Sequence, residues 1–226
     1  MALDVPDIGR VSALSVRPDR AFAGLALAHG AGAGMRHPFM EALAERLAER
    51  GIATLRYQFP YMELRVYRPD PPAVLVETVR AAVAMAARDH DDLPMFAGGK
   101  SLGGRMTSTA QAEAPLPGVR GIAFFGFPLH PSGRPATARA EHLERVSVPM
   151  LFLQGTRDAL ADIERMRPVC ERLGARARLH VIEHADHSFH VPRRSGLDDD
   201  QVLERLADAT GEWMRDVLAE TKERGR

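Results

Sequence analysis

An alternation constrains this chain most: short apolar runs of strand length are separated by longer segments of helical period. Phe22–His29 reads as a buried strand that stops at Gly30. Pro38–Arg50 follows as a helix, with Phe39, Leu43 and Leu47 recurring every four residues, Pro38 in the first turn and Gly51 just past the end. Ile52–Gln58 is a second strand, and Phe59–Pro72 is a loop in which Pro60, Pro69, Pro71 and Pro72 prevent regular structure. Ala73–Arg88 is a helix with Leu75, Val76, Val79, Val83 and Ala86 on one face. Pro94–Gly98, Val119–Phe127, Val148–Gly155 and Arg178–Glu183 are further strands. Ser101–Glu113 and Leu160–Leu173 are helices, the second closed by Gly174. Gln201–Leu218 is an amphipathic helix preceded by Asp198, Asp199 and Asp200, and Val11–Val16 is an additional edge strand. The pattern predicts an α/β fold: a mostly parallel central sheet with helices on both faces, residues 1–226 forming a single domain.

Composition narrows the function. The 226 residues, 45% hydrophobic, suffice for one sizeable core. Thirty basic and thirty acidic residues give a formal net charge of zero, which argues against a nucleic-acid partner. The single cysteine, Cys170, excludes a disulfide scaffold and a cysteine-rich metal site. No apolar run approaches the roughly 20 residues that span a bilayer, and Met1–Arg10 lacks the pattern of a signal peptide. A cytoplasmic protein acting on a small molecule is expected, with no membrane partner, no cofactor and no metal.

In open α/β sheets the chemistry lies beyond the carboxyl ends of the strands. One such end carries Gly99-Lys100-Ser101-Leu102-Gly103, a G-x-S-x-G between a strand and a helix. The glycines allow a sharp turn that exposes the serine hydroxyl, and the helix N-terminus favours developing negative charge. A phosphate-binding P-loop would need glycine where Pro94 stands, and Met95–Gly98 has strand character.

A nucleophilic serine needs a base, and the base an orienting acid. Asp158 follows the strand end at Gly155, and His187 follows the strand end at Glu183. The chain order Ser101, Asp158, His187 suits such a triad. Asp158 is also in place to cap the next helix, with Asp162 as the alternative acid, and His184 and His190 compete with His187. The three histidines are spaced by three, but Pro192 and the preceding strand speak against a metal-binding helix face. His29–Gly34, a glycine-alternating loop, is the candidate oxyanion loop, with the N–H groups of Ala31 and Leu102 as donors.

With these residues in hand, the chain resembles the α/β-hydrolases over nearly its whole length. More narrowly it resembles small bacterial hydrolases of the dienelactone-hydrolase-like group. His29–Gly32, His37–Met40, Phe59–Glu63 and Pro69–Pro72 carry the likeness to one branch, which also resembles a domain of a eukaryotic chromatin-complex regulatory subunit. The resemblance implies an α/β-hydrolase fold. Dienelactone hydrolases proper use a cysteine where this chain has Ser101, so their chemistry is not inherited. Pro128–Ser147 is too short to hold a lid domain. Gly30, Gly32, Phe127, Pro128 and Tyr61 are expected to line the substrate cleft. Lys100 either supports negative charge there or points to solvent, the latter being favoured. A serine hydrolase cleaving a small carboxylic ester or thioester through an acyl-enzyme is the leading expectation. A non-catalytic binding or scaffolding module of the same fold is the alternative.

Overall fold

The computed structural model describes residues 1–66 and 68–224. The chain enters through two antiparallel strands, β1 (Ala2–Val5) and β2 (Gly9–Val16). From there strands and helices alternate: β3 (Ala23–Ala28), α1 (Pro38–Glu49), β4 (Ile52–Tyr57), α2 (Pro60–Glu63), α3 (Pro72–Asp89), β5 (Met95–Lys100), α4 (Leu102–Glu113) and β6 (Val119–Phe125). The chain then continues with β7 (Met150–Gly155), α5 (Ile163–Leu173), β8 (Ala177–Ile182) and α6 (Asp199–Arg224). The eight strands form one sheet in the order β1-β2-β4-β3-β5-β6-β7-β8. It is parallel from β4 to β8.

Period-two side-chain alternation divides the core between the two faces of the sheet. Leu25 and Leu27 of β3, and Leu151 and Leu153 of β7, pack with Met40, Leu43 and Leu47 of α1 and with Val202, Leu206 and Trp213 of α6. Ala26 and Ala28, with Met150 and Phe152, face the layer made by α3, α4 and α5. The chain runs from β3 to β4 on one side and returns to β5 on the other. The strand order therefore reverses at β3, and a crevice opens there at the carboxyl ends of the strands.

Several boundaries differ from the sequence reading. The Val11–Val16 segment is not an edge strand, because β1 pairs outside it. Within the 59–72 segment Pro60 starts a helical turn rather than preventing one, since proline suits the first helical position; Tyr67 lies outside the described residues. The helix expected from Leu160 begins at Ile163, where Asp162 accepts from the Glu164 N–H at 2.9 Å. The strand expected to stop at Gly98 runs on to Lys100. The C-terminal helix is longer than the expected Gln201–Leu218 at both ends. Between β6 and β7 the chain forms one 3-10 stretch, Ala138–Arg145, and no lid domain. Cys170 is packed in α5, where burial pushes its thiol up to about 11. Among the described residues no helix is long and apolar enough to cross a membrane.

Candidate active site

The first component is the turn between β5 and α4. Ser101 holds φ 50° and ψ −114°, a left-handed backbone that side chains rarely adopt. Such strain costs roughly 1–3 kcal/mol and persists only where the surroundings enforce it. Here the Ser101 N–H donates to the Phe125 carbonyl at 3.2 Å, the Ser101 carbonyl accepts from the Arg105 N–H at 3.1 Å, and the flanking glycines permit a close approach. A Cβ on Gly99 would lie 2.5 Å from the Ala28 carbonyl oxygen, and one on Gly103 would lie 2.5 Å from that of His29. The two glycines of the motif thus let α4 press against the end of β3, leaving the serine as the exposed apex.

The second component comes from the turns after β7 and β8. His187 Nε2 is 2.8 Å from Ser101 Oγ, and its Nδ1 is 2.7 Å from Asp158 Oδ2. Hydroxyl, imidazole and carboxylate form one continuous hydrogen-bonded chain. This is the order that general-base activation of a serine needs. The Asp158 side chain is almost fully buried. Its Oδ1 accepts from the Leu160 N–H at 2.7 Å, so the capping role and the histidine contact coexist in one residue. Gln154 Nε2 also donates to Oδ2, while Gln154 Oε1 accepts from the Phe127 N–H at 3.0 Å.

The alternatives in the sequence go elsewhere. Asp162 caps α5. His184 is exposed, and the exposed His190 meets Asp199 at the start of α6 at 2.8 Å. The Asp199 hydrogen bond raises the His190 pKa. Among the described residues no group of three or more His, Cys, Asp or Glu side chains is arranged to hold a metal ion.

The third component is the 29–34 loop. Fully buried His29 is its hub. Its Nδ1 donates to the Gly30 carbonyl at 2.7 Å, and its Nε2 accepts from the Phe59 N–H at 3.0 Å. Burial pushes the His29 pKa down to about 4, and the acceptor role of Nε2 requires the neutral ring. The Tyr61 hydroxyl donates to the Ala31 carbonyl at 3.0 Å. Neither the Ala31 N–H nor the Leu102 N–H donates to another group among the described residues. Ala31 lines the cleft from the 29–34 loop, and Leu102 opens α4 directly after Ser101.

These components enclose a cleft of about 310 Å³. Gly30, Ala31, Gly32 and Ala33 line one side, and Phe39, Met40 and Leu160 provide its apolar walls. Lys100, Ser101, His187 and Ser188 line it as well. Lys100 departs from the expected solvent orientation: its Nζ turns inward and donates to the His187 carbonyl. Three expected lining residues are not in the cleft. Phe127 is buried against Phe124 and Phe152, and Pro128 is buried beside it. Tyr61 lies behind the 29–34 loop and supports it. Sequence reasoning missed Gln154, whose one signal was an amide in an otherwise apolar strand.

A family model described as alpha/beta hydrolase domain matches residues 21–215. The chain belongs to the alpha/beta hydrolase family. Solved members with a similar fold include a dienelactone hydrolase from Anabaena variabilis, at 24% identity and TM-score 0.77, covering 96% of this chain and 95% of that one. A serine hydrolase without lid from Xanthomonas campestris matches at 19% identity and TM-score 0.72, covering 94% and 93%. Est1E from Butyrivibrio proteoclasticus, solved with ferulic acid bound, matches at 18% and 0.73, covering 97% and 99%. This alpha/beta hydrolase matches nearly the whole length of all three, and none adds a large segment that it lacks.

Proposed function

We propose that this alpha/beta hydrolase is a serine hydrolase that cleaves a small carboxylic ester or thioester through an acyl-enzyme. The observation that carries the reading is the unbroken chain from Ser101 Oγ through the His187 ring to Asp158. Ser101 Oγ attacks the carbonyl carbon while its proton passes to His187 Nε2. Asp158 fixes the tautomer that leaves Nε2 free to accept, and it stabilises the imidazolium that forms. The carbonyl oxygen becomes an oxyanion facing the N–H groups of Leu102 and Ala31, each donor contributing about 10²–10³-fold. The tetrahedral intermediate then breaks the bond to the leaving group, which departs with the proton from His187. Water attacks the acyl-enzyme, giving a proton to His187, and the second intermediate releases the acid and restores Ser101.

The lidless cleft, with Phe39, Met40 and Leu160 as walls, suits a short acyl group better than a long lipid. Labelling of the folded protein with a fluorophosphonate probe tests the reading. Ser101 takes the label, and Ser101→Ala abolishes it. Ser101→Ala and His187→Ala lose esterase activity to a similar extent, because triad members act as a unit. An unlabelled folded protein, or labelling that survives Ser101→Ala, leaves a binding module of hydrolase fold instead.

A further inference from the structure

Lys100 immediately precedes the serine turn and, among the described residues, carries the one Lys, Arg, Asp or Glu side chain that lines the cleft. Its ammonium has no carboxylate within 4 Å among the described residues, an unusual state for a shielded charge. Nζ instead lies 5.2 Å from the centre of the Phe189 ring and 6.0 Å from that of Phe39, two rings stacked 5.8 Å apart. It donates across 87 residues of sequence to the backbone carbonyl of His187. Room for this contact comes from Gly126, at φ +74°. A Cβ there would lie 3.0 Å from Nζ and 3.5 Å from the His187 ring. The loop that receives the bond follows β8, an edge strand, and carries left-handed backbone at His184 and Phe189. The turn after β7 holds its first residues, through the Arg157 N–H to the Ala185 carbonyl at 2.9 Å and the His184 N–H to Thr156 Oγ1 at 2.8 Å, and Asp199 holds its far end, but the His187 carbonyl is held by Lys100. A methionine or leucine would fill the aromatic slot without the burden of a charge, so packing alone does not account for the ammonium.

We propose that Lys100 is a positioning residue: its ammonium pins the His187 backbone to the end of β5 and so holds the imidazole within reach of Ser101. The proposal rests on the serine-hydrolase reading for its catalytic consequence. The bond is charge-assisted, and such bonds are roughly twice as strong as neutral ones. Burial pushes the Lys100 pKa down to about 8, opposed by the charges of Asp158 and Asp186. The titratable groups that face Lys100 are Asp158 after β7, Asp186 and His187 after β8, and His37 before α1. Loss of the Lys100 proton above about pH 8 therefore weakens the pin and gives the reaction an alkaline limb.

Two measurements on Lys100→Met and Lys100→Arg test this. The first is the rate at which a fluorophosphonate labels Ser101 from pH 6 to 10. The second is hydrogen–deuterium exchange of residues 184–190, which needs no catalysis. Lys100→Met, which fills the same slot, labels about 10- to 100-fold more slowly at pH 7, the scale expected when a reacting group is misplaced by about 1 Å. It also loses the alkaline limb near pH 8 and exchanges faster over 184–190. Lys100→Arg keeps a charged donor and recovers most of the rate while moving the limb to higher pH. A Lys100→Met protein with wild-type labelling, pH profile and exchange overturns the proposal and leaves the hydrolase reading intact. Faster exchange in a protein whose wild type is never labelled upholds the pin and sinks the hydrolase reading.

Discussion

Asp158 serves three groups, the Leu160 N–H through Oδ1 and the His187 ring and Gln154 Nε2 through Oδ2, and its substitutions separate the turn contact from the histidine contact. Asp158→Asn retains an acceptor for Leu160 but presents an amide N–H toward His187, which forces the wrong tautomer. Esterase turnover is expected to fall by about 10⁴-fold, and the amide N–H set against the buried Gln154 Nε2 donor lowers the melting temperature. Asp158→Ala loses the turn contact as well and destabilises the protein by about 1 kcal/mol. Kinetics and thermal melts on both variants check this, and equal turnover in Asp158→Asn and wild type would remove Asp158 from the mechanism. The position of Asp158 and His187 just past strand ends was legible in the sequence. The direction of Lys100 was not, because it depends on an aromatic slot made by Phe39 and Phe189, which lie 150 residues apart in the chain.

At the scale of elements, the 29–34 loop and the 59–61 segment form one unit through His29 and Tyr61. Tyr61→Phe frees the Ala31 carbonyl and is expected to lower kcat/KM about 10-fold, within the effect of losing one oxyanion donor, while melting stays within about 1 kcal/mol. Unchanged kcat/KM would separate the loop from the chemistry. Acid should loosen the same unit. Burial lowers the pKa of His29, and that of His142, from 6.5 to about 4. The unfolded chain therefore binds more protons between these values, so stability is complete above about pH 6.5 and is lost as pH falls toward 4. For His29 this amounts to about 3 kcal/mol. The exposed His190–Asp199 pair runs the other way: its contribution is present in acid and fades as pH rises through the raised His190 value. Denaturant melts at pH 7 and pH 4.5 measure the balance, which His29 and His142 together dominate; a more stable protein at pH 4.5 would refute it. The place of Tyr61 behind the loop is not legible in the sequence, because adjacency to a strand end does not say which side of a loop a ring takes.

At the scale of the molecule, the alternation alone carried the parallel sheet and its two helical layers. Apolar runs buried on both faces have few other solutions. The outer strand β1 escaped because four residues, one of them Asp4, carry too little pattern. Short helix starts moved where local caps such as Asp162 decide them. The open cleft makes a further expectation: kcat/KM on a graded ester panel falls as the acyl chain outgrows about 310 Å³. A flat profile to long chains would place the acyl group outside the cleft.

The sheet ends at β8, which pairs on one side alone and is the least buried of the parallel strands. Ser101 directly follows β5, near the middle of the sheet, and His187 follows the marginal strand. Unravelling begins where a structure has fewest buried contacts. Mild denaturant should therefore silence the proposed activity while the far-ultraviolet circular dichroism still reads as native: His187 departs first, and Ser101 stays behind in an intact sheet.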